Sequence, residues 1–237
     1  MPILPNMYRF IFSTALLFLF FFTGKAQEDT AVVENDNQEK IIPTQHQLRI
    51  GVNISTPLMT ALVKDAATQR SGYEVTLDYC LRNDAYIVAE GGFGKSTIQY
   101  PELSYQTQNS YARIGIDKSM LQRLFPNDWD MIFIGLRYGV AFIQRSEATF
   151  TTVDDFWGTT SGIIPSKNLT AHWAEMNAGM RVELLKHFFA GYNVRAKFLV
   201  NDKAFRELPP AYIAGYGKAE KSTVFDFNLY LCYALRW

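Results

Sequence analysis

The feature that most constrains this fold is the alternation at the end of the chain. From Phe225 to Trp237, apolar side chains hold every odd position: Phe225, Phe227, Leu229, Leu231, Tyr233, Leu235 and Trp237. The even positions carry Asp226, Asn228, Tyr230, Cys232, Ala234 and Arg236. Successive side chains of an extended chain point to opposite faces, so this is one long strand with an apolar and a polar side. Such a strand, ending on an aromatic residue, is the expected closing strand of an outer-membrane β-barrel.

The same period recurs seven times upstream, and no stretch of useful length has a helical period. The alternation predicts strands near 48–55, 73–82, 85–97, 111–117, 132–142, 173–184 and 188–198. The third is the least regular, and Gly91-Gly92 is read there as a bulge. Connections alternate between short (Arg82-Asn83-Asp84; Leu185-Lys186-His187) and long, the longest running from about Ser146 to Ala171. The stretch from Ser119 to Asp130 is long for a turn at the short-turn end, and a short helix is expected near Met120–Phe125. These features predict an all-β fold: an eight-stranded antiparallel up-and-down transmembrane β-barrel over residues 48–237.

Alternation does not by itself say which face is inside, since a lipocalin-like soluble barrel turns its apolar face inward around a ligand. The polar faces, the apolar faces continuous over membrane depth and the terminal aromatic favour the membrane sense. The polar faces mix glycine with charges of both signs: Arg49, Glu74, Asp78, Arg82, Glu90, Arg113, Arg137, Glu175, Arg181, Glu183, Arg195, Lys197, Asp226 and Arg236. Such groups suit pairing in a confined lumen, where an unpaired charge is costly. Aromatic residues make up 15% of the chain, including 18 Phe and 13 Tyr, as a lipid-facing wall requires. Trp173 and Trp237 are read as interfacial or assembly residues.

The N-terminus reads as a targeting segment. Arg9 precedes the apolar run from Phe10 to Phe22, which is too short to cross a bilayer as a helix, and small residues follow to Ala26. A cleaved signal peptide over 1–26 is expected, with no cysteine near the cut to anchor a lipid. Residues 27–47 are polar and acidic and predict a flexible periplasmic tail. Asp29-Thr30-Ala31 resembles an O-glycosylation acceptor. Without Arg9 and Lys25, 21 basic residues face 23 acidic ones, about −2 in all, so no basic field calls for nucleic acid.

Four segments carry a resemblance: Leu48-Arg-Ile-Gly-Val52 followed by Pro57, Gly135-Leu-Arg-Tyr-Gly139, Ala171-His-Trp-Ala-Glu175 and Tyr212-Ile-Ala-Gly-Tyr216. Together they resemble an uncharacterised family of secreted Bacteroidota proteins that are small predicted outer-membrane barrels. The resemblance implies fold and location and carries no catalytic residue.

The chemistry legible beyond this is limited. Eight strands enclose a lumen just filled by side chains, so a solute pore is not expected. A narrow proton or ion path is the functional alternative, with Arg137 first to test because Gly135 and Gly139 flank it. A lipid hydrolase would need a serine and an acid beside His172. Ser161 and Ser166 precede it in sequence, but alternation puts His172 and Glu175 on opposite faces. Cys80 and Cys232 fall on strands separated by strand one, roughly 9–10 Å. That is beyond the about 7 Å between Cα atoms that a disulfide allows, so thiols are expected.

The reading is therefore a non-enzymatic outer-membrane barrel, structural or engaged through long outer loops. The alternatives are a lipid-modifying barrel enzyme and a periplasmic ligand binder. Phe150–Asn168, with Asp154, Asp155, Phe156, Trp157 and Lys167, and Asn201–Lys221, with Tyr212 and Tyr216, hold the recognition potential, solvent-exposed loops being the plainer reading. Expected partners are outer-membrane lipid, the barrel assembly machinery and an unknown surface ligand. No metal or cofactor is called for.

Overall fold

A computed structural model describes residues 46–62, 68–81, 84–121, 128–154, 156, 158–201, 205 and 208–237. The expected signal peptide, the tail up to residue 45, Arg82, Asp155 and Trp157 lie outside them.

Eleven elements follow along the chain: β1 (Gln47–Asn53), α1 (Ser55–Leu62), β2 (Thr68–Cys80), β3 (Ala85–Gln99), β4 (Leu103–Ser119), β5 (Met131–Arg145), β6 (Ala148–Asp154), β7 (Gly158–Ile164), β8 (Lys167–Leu185), β9 (Phe188–Leu199) and β10 (Thr223–Arg236). Eight of them, β1–β5 and β8–β10, pair antiparallel with their neighbours around a ring. β1 closes it against β10, from Gln47 opposite Arg236 to Asn53 opposite Tyr230. The eight-stranded antiparallel barrel read from the alternation is thus the observed fold.

The register sends the apolar faces outward. Every barrel strand contributes exposed large apolar side chains, among them Ile50, Leu77, Ile87, Ile114, Leu136, Met176, Val194 and Phe227. The polar faces point inward and are buried. A soluble barrel around an apolar ligand has the reverse arrangement.

Several expectations are corrected. Gly91 and Gly92 are not a bulge, because both β2 and β4 pair with β3 in unbroken register across them. Gly92 instead leaves room for the ring of Tyr111, its cross-strand partner. The irregularity lies between Glu183 and Leu185 on β8. The connection between β3 and β4 is not long: three residues, Tyr100-Pro101-Glu102, cap a hairpin whose strands outrun the apolar belt. Residues such as Ser96, Gln106 and Gln108 carry no hydropathic alternation because a projecting hairpin needs no lipid-facing side.

The longest connection likewise contains a hairpin, β6–β7, hung on the end of β4 through Leu103–Phe150 and Ser104–Thr149. β1 begins at Gln47, one residue inside the expected tail, and ends early in α1. The Asn53 side chain accepts the Ser55 N–H (2.9 Å), and Pro57 occupies the first helical turn, where its missing N–H costs nothing. α1 packs against β2 and β10, whose strands run on past the end of β1. No helix among the described residues is long and apolar enough to cross a membrane.

The tight turns use left-handed residues, Asp84 at φ 55° and His187 at φ 70°. Inside the barrel lie two apolar clusters with a belt of charge between them. The short-turn cluster includes Tyr86, Trp129, Met131, Phe133, Phe189 and Tyr230. The long-loop cluster includes Tyr111, Ile143, Trp173, Phe205, Ile213 and Tyr216.

Candidate functional site

The belt is built by inward positions of adjacent strands. Arg113 of β4 sits at its centre and reaches three carboxylates, Glu74 (2.5 Å), Glu90 (2.7 Å) and Glu175 (3.1 Å). Glu90 also takes Arg137 and, at 2.8 Å, Arg195. Arg137 extends the chain to Asp117 (2.8 Å). Tyr111 and Tyr230 donate their hydroxyls to Glu74, the latter at 2.5 Å. All these charged side chains are buried, so each relies on its partners in place of water.

A second group lies toward the short turns. Arg49 and Arg181 both approach Oδ2 of Asp78. The Arg49 guanidinium also lies 4.3 Å from the centre of the Tyr86 ring, and that of Arg181 5.2 Å from Phe133. At the rim, Arg236 pairs with Glu183 (2.5 Å) and stacks over Trp129.

The long-loop end is closed by Phe205 and by residues 208–221, which turn into the barrel. Gly215 adopts φ 79°, open to glycine without strain, and its added Cβ would strike the Tyr111 ring. That turn aims the Gly215 carbonyl at Arg113 Nη1 (3.1 Å) and Lys197 Nζ (2.7 Å). Asn109 receives the Ala214 N–H (2.7 Å) and donates to the Tyr212 carbonyl (3.1 Å). Arg145 donates to the carbonyls of Leu208 and Pro165, both at 2.9 Å. Burial pushes the Tyr216 hydroxyl up to about 12, and it donates to the Lys221 carbonyl (2.5 Å). This segment is a plug, not the solvent-exposed loop expected of it.

Trp173 is corrected as well. It is fully buried in the lumen and is not an interfacial anchor. Its parity is that of Glu175, two residues on, so both face inward. Its indole N–H donates to Glu175 (2.6 Å), and its ring meets Tyr216 at 5.8 Å. Gly139, its cross-strand partner, makes the room, because a Cβ there would overlap the indole. The glycines flanking Arg137 therefore do not serve Arg137, whose stem lies against Gly115 on β4. Gly191 stands in the same relation to Arg181, and Gly179 to Phe133. Trp237 is 65% exposed and groups with His46 and Tyr79 at the outer rim of the short-turn end.

Of the other charges read as lumenal, Lys197 pairs with the partly exposed Asp226 beside the plug, and Glu183 and Arg236 are half-buried at the opposite rim. Two buried charges were missed. Asp117 continues the inward parity of Arg113 and Gly115, and Arg145 continues that of Arg137 beyond the expected strand end. The large inward aromatics were missed because a filled lumen takes apolar groups on a nominally polar face.

His172 faces outward against Tyr138, whose hydroxyl lies 3.2 Å from its Nδ1. Ser161 pairs with Thr151 in the β6–β7 hairpin (3.1 Å). Neither is joined to the other or to a carboxylate by a described contact. Cys80 and Cys232 are buried thiols in the short-turn cluster, with no disulfide between them. Cys232 lies level with Gly51 on β1, whereas Cys80 follows Tyr79, which lies level with Leu48. They are thus offset along β1 as well as across it. Among the described residues no group of three or more His, Cys, Asp or Glu is placed to hold a metal.

Solved structures with some likeness to this one are small barrels. The crystal structure of Ail, the attachment invasion locus protein of Yersinia pestis, is 9% identical, covers 81% of this chain and 98% of its own, and superposes with a TM-score of 0.39. The same protein in phospholipid nanodiscs gives 12%, 81%, 99% and 0.34. The N-terminal barrel domain of Pseudomonas aeruginosa OprF gives 11%, 80%, 97% and 0.31. Likeness this distant carries nothing about activity. No curated protein matches the chain in sequence. A family model does: residues 7–236 match the domain of unknown function DUF6048, and the chain belongs to that family.

Proposed function

We propose that the protein is a non-enzymatic outer-membrane barrel that acts through its long-loop end, as a structural or surface-interaction protein. The observation that carries this reading is the pairing of an apolar exterior on all eight barrel strands with buried ion pairs inside. Lipid is the solvent that such an exterior matches, and a lumen filled by side chains and plugged at one end leaves no wide conduit. The N-terminus then lies in the periplasm after cleavage between Ala26 and Gln27, and the barrel assembly machinery inserts the chain. The tip of the β6–β7 hairpin, with the exposed Val153 and Phe156, offers a surface for a partner.

An epitope inserted between Asp154 and Gly158 tests this. It should be accessible on intact cells and recovered with the outer membrane; recovery in the soluble periplasm would refute the reading. His172→Ala should leave the outer-membrane lipid profile unchanged, and an altered profile would favour a lipid-modifying enzyme.

A further inference from the structure

We propose that the short-turn half of the lumen binds a small inorganic anion, of chloride size, between Arg49 and Arg181.

Two guanidiniums, both nearly inaccessible, share the single carboxylate of Asp78. Asp78 itself is engaged further, its Oδ1 accepting from Thr76 (3.0 Å). Arg49 Nε stands 3.6 Å from Asp78, too far for a hydrogen bond, and its Nη2 is directed at the weak acceptor Met131 Sδ (2.9 Å). Arg49 Nη1 and Arg181 Nη2 meet no protein acceptor among the described residues. The buried amide of Gln47, two residues before Arg49 on the same face of β1, is likewise unmatched at both ends.

The charge imbalance is local. In the central belt, Glu74, Glu90, Asp117 and Glu175 face Arg113, Arg137 and Arg195, a surplus of carboxylate. Among the described buried side chains toward the short turns, Arg49 and Arg181 face Asp78, a cationic surplus. The two are not equivalent, because a carboxylate can take up a proton whereas a guanidinium does not release one. Water could satisfy the donors but not the charge. Tyr86, Phe133 and Phe189 flank the guanidiniums with ring faces, which attract cations without neutralising them. A compact anion supplies both acceptor and charge, and the Arg236–Glu183 pair stands at the rim beside this end.

The test uses the full barrel refolded in detergent micelles, melted in sodium chloride and in sodium gluconate at equal ionic strength. Saturable chloride binding should raise the midpoint by about 5 °C. Arg181→Met should abolish that difference, whereas Arg145→Met, at the other end, should retain it. Crystals of the unaltered protein soaked in bromide provide a readout independent of any variant: an anomalous peak is expected within contact distance of Arg49 Nη1 and Arg181 Nη2. A shift with phosphate and none with halide would overturn the assignment of a chloride-sized ion. Equal midpoints in chloride and gluconate, a bromide map without the peak, or a chloride dependence that survives Arg181→Met would each overturn the site.

Discussion

The two ends of the barrel are closed by different means. At the short-turn end the filling side chains belong mainly to the strands themselves: Tyr86, Met131, Phe133, Phe189 and Tyr230. At the long-loop end much of the filling is a returning loop, in which Ile213, Ala214 and Tyr216 are buried against Trp173 and Tyr111. A strand-borne filling is fixed by the parity and register of the wall, so it cannot be withdrawn without breaking the barrel. A loop-borne filling is joined to the wall by packing and by contacts such as those of Asn109 with Ala214 and Tyr212, and its removal should leave the register of the wall intact. The belt of charge between them belongs to the first kind.

This difference can be tested by substitution. Arg113→Met takes the shared guanidinium from three buried carboxylates and should cost about 3–5 kcal/mol in urea unfolding, enough to threaten the fold. On the outer wall, Ile114→Arg should cost about 2–4 kcal/mol in bilayers. Val153→Arg, on the projecting hairpin, should stay within about 0.5 kcal/mol. If both cost the same, the apolar exterior does not face lipid.

Gly139→Val should displace the Trp173 indole at a cost of about 1–3 kcal/mol, visible as a changed near-ultraviolet circular dichroism spectrum. An unchanged spectrum would mean that the cross-strand glycine is not what seats the ring. The smallest effect on the wall is expected from replacing residues 211–219 with a Gly-Ser linker. The barrel should stay folded while acrylamide quenching of Trp173, as the sole tryptophan, rises. Loss of folding would place the plug with the strand-borne filling.

How much of this was legible depended on whether a residue lay in the lipid-facing part of a strand. There, one face must be apolar, so residues such as Ile132, Ile134 and Leu136 announce both strand and orientation. Where β3 and β4 project beyond the belt, neither face must be apolar, and the strands disappear from the pattern although their pairing continues to Gln99 and Ser104. The lumen was half legible. Charges on inward positions stood out, but Trp173 was assigned by residue type, as an interfacial tryptophan, when its parity with Glu175 already placed it inside.

The glycine signal was present and misread along the strand. Gly139 and Gly115 relieve residues opposite them on neighbouring strands, and that relation needs the register. The plug could not be foreseen, because a loop's path depends on three-dimensional partners such as Asn109 and Arg145. Yet three of the four segments that carried the family resemblance meet at this place. Gly139 seats Trp173, Trp173 donates to Glu175, Glu175 pairs with Arg113, and Tyr212–Tyr216 close over them.

This chain is proposed to be a closed barrel whose apolar wall faces an outer membrane. Heat-modifiable migration of the protein taken from the outer-membrane fraction tests it most directly. A compact band is expected in unboiled detergent samples, shifting to its full-length position on boiling. The same migration before and after boiling, with recovery of the protein in the soluble periplasm, would contradict it.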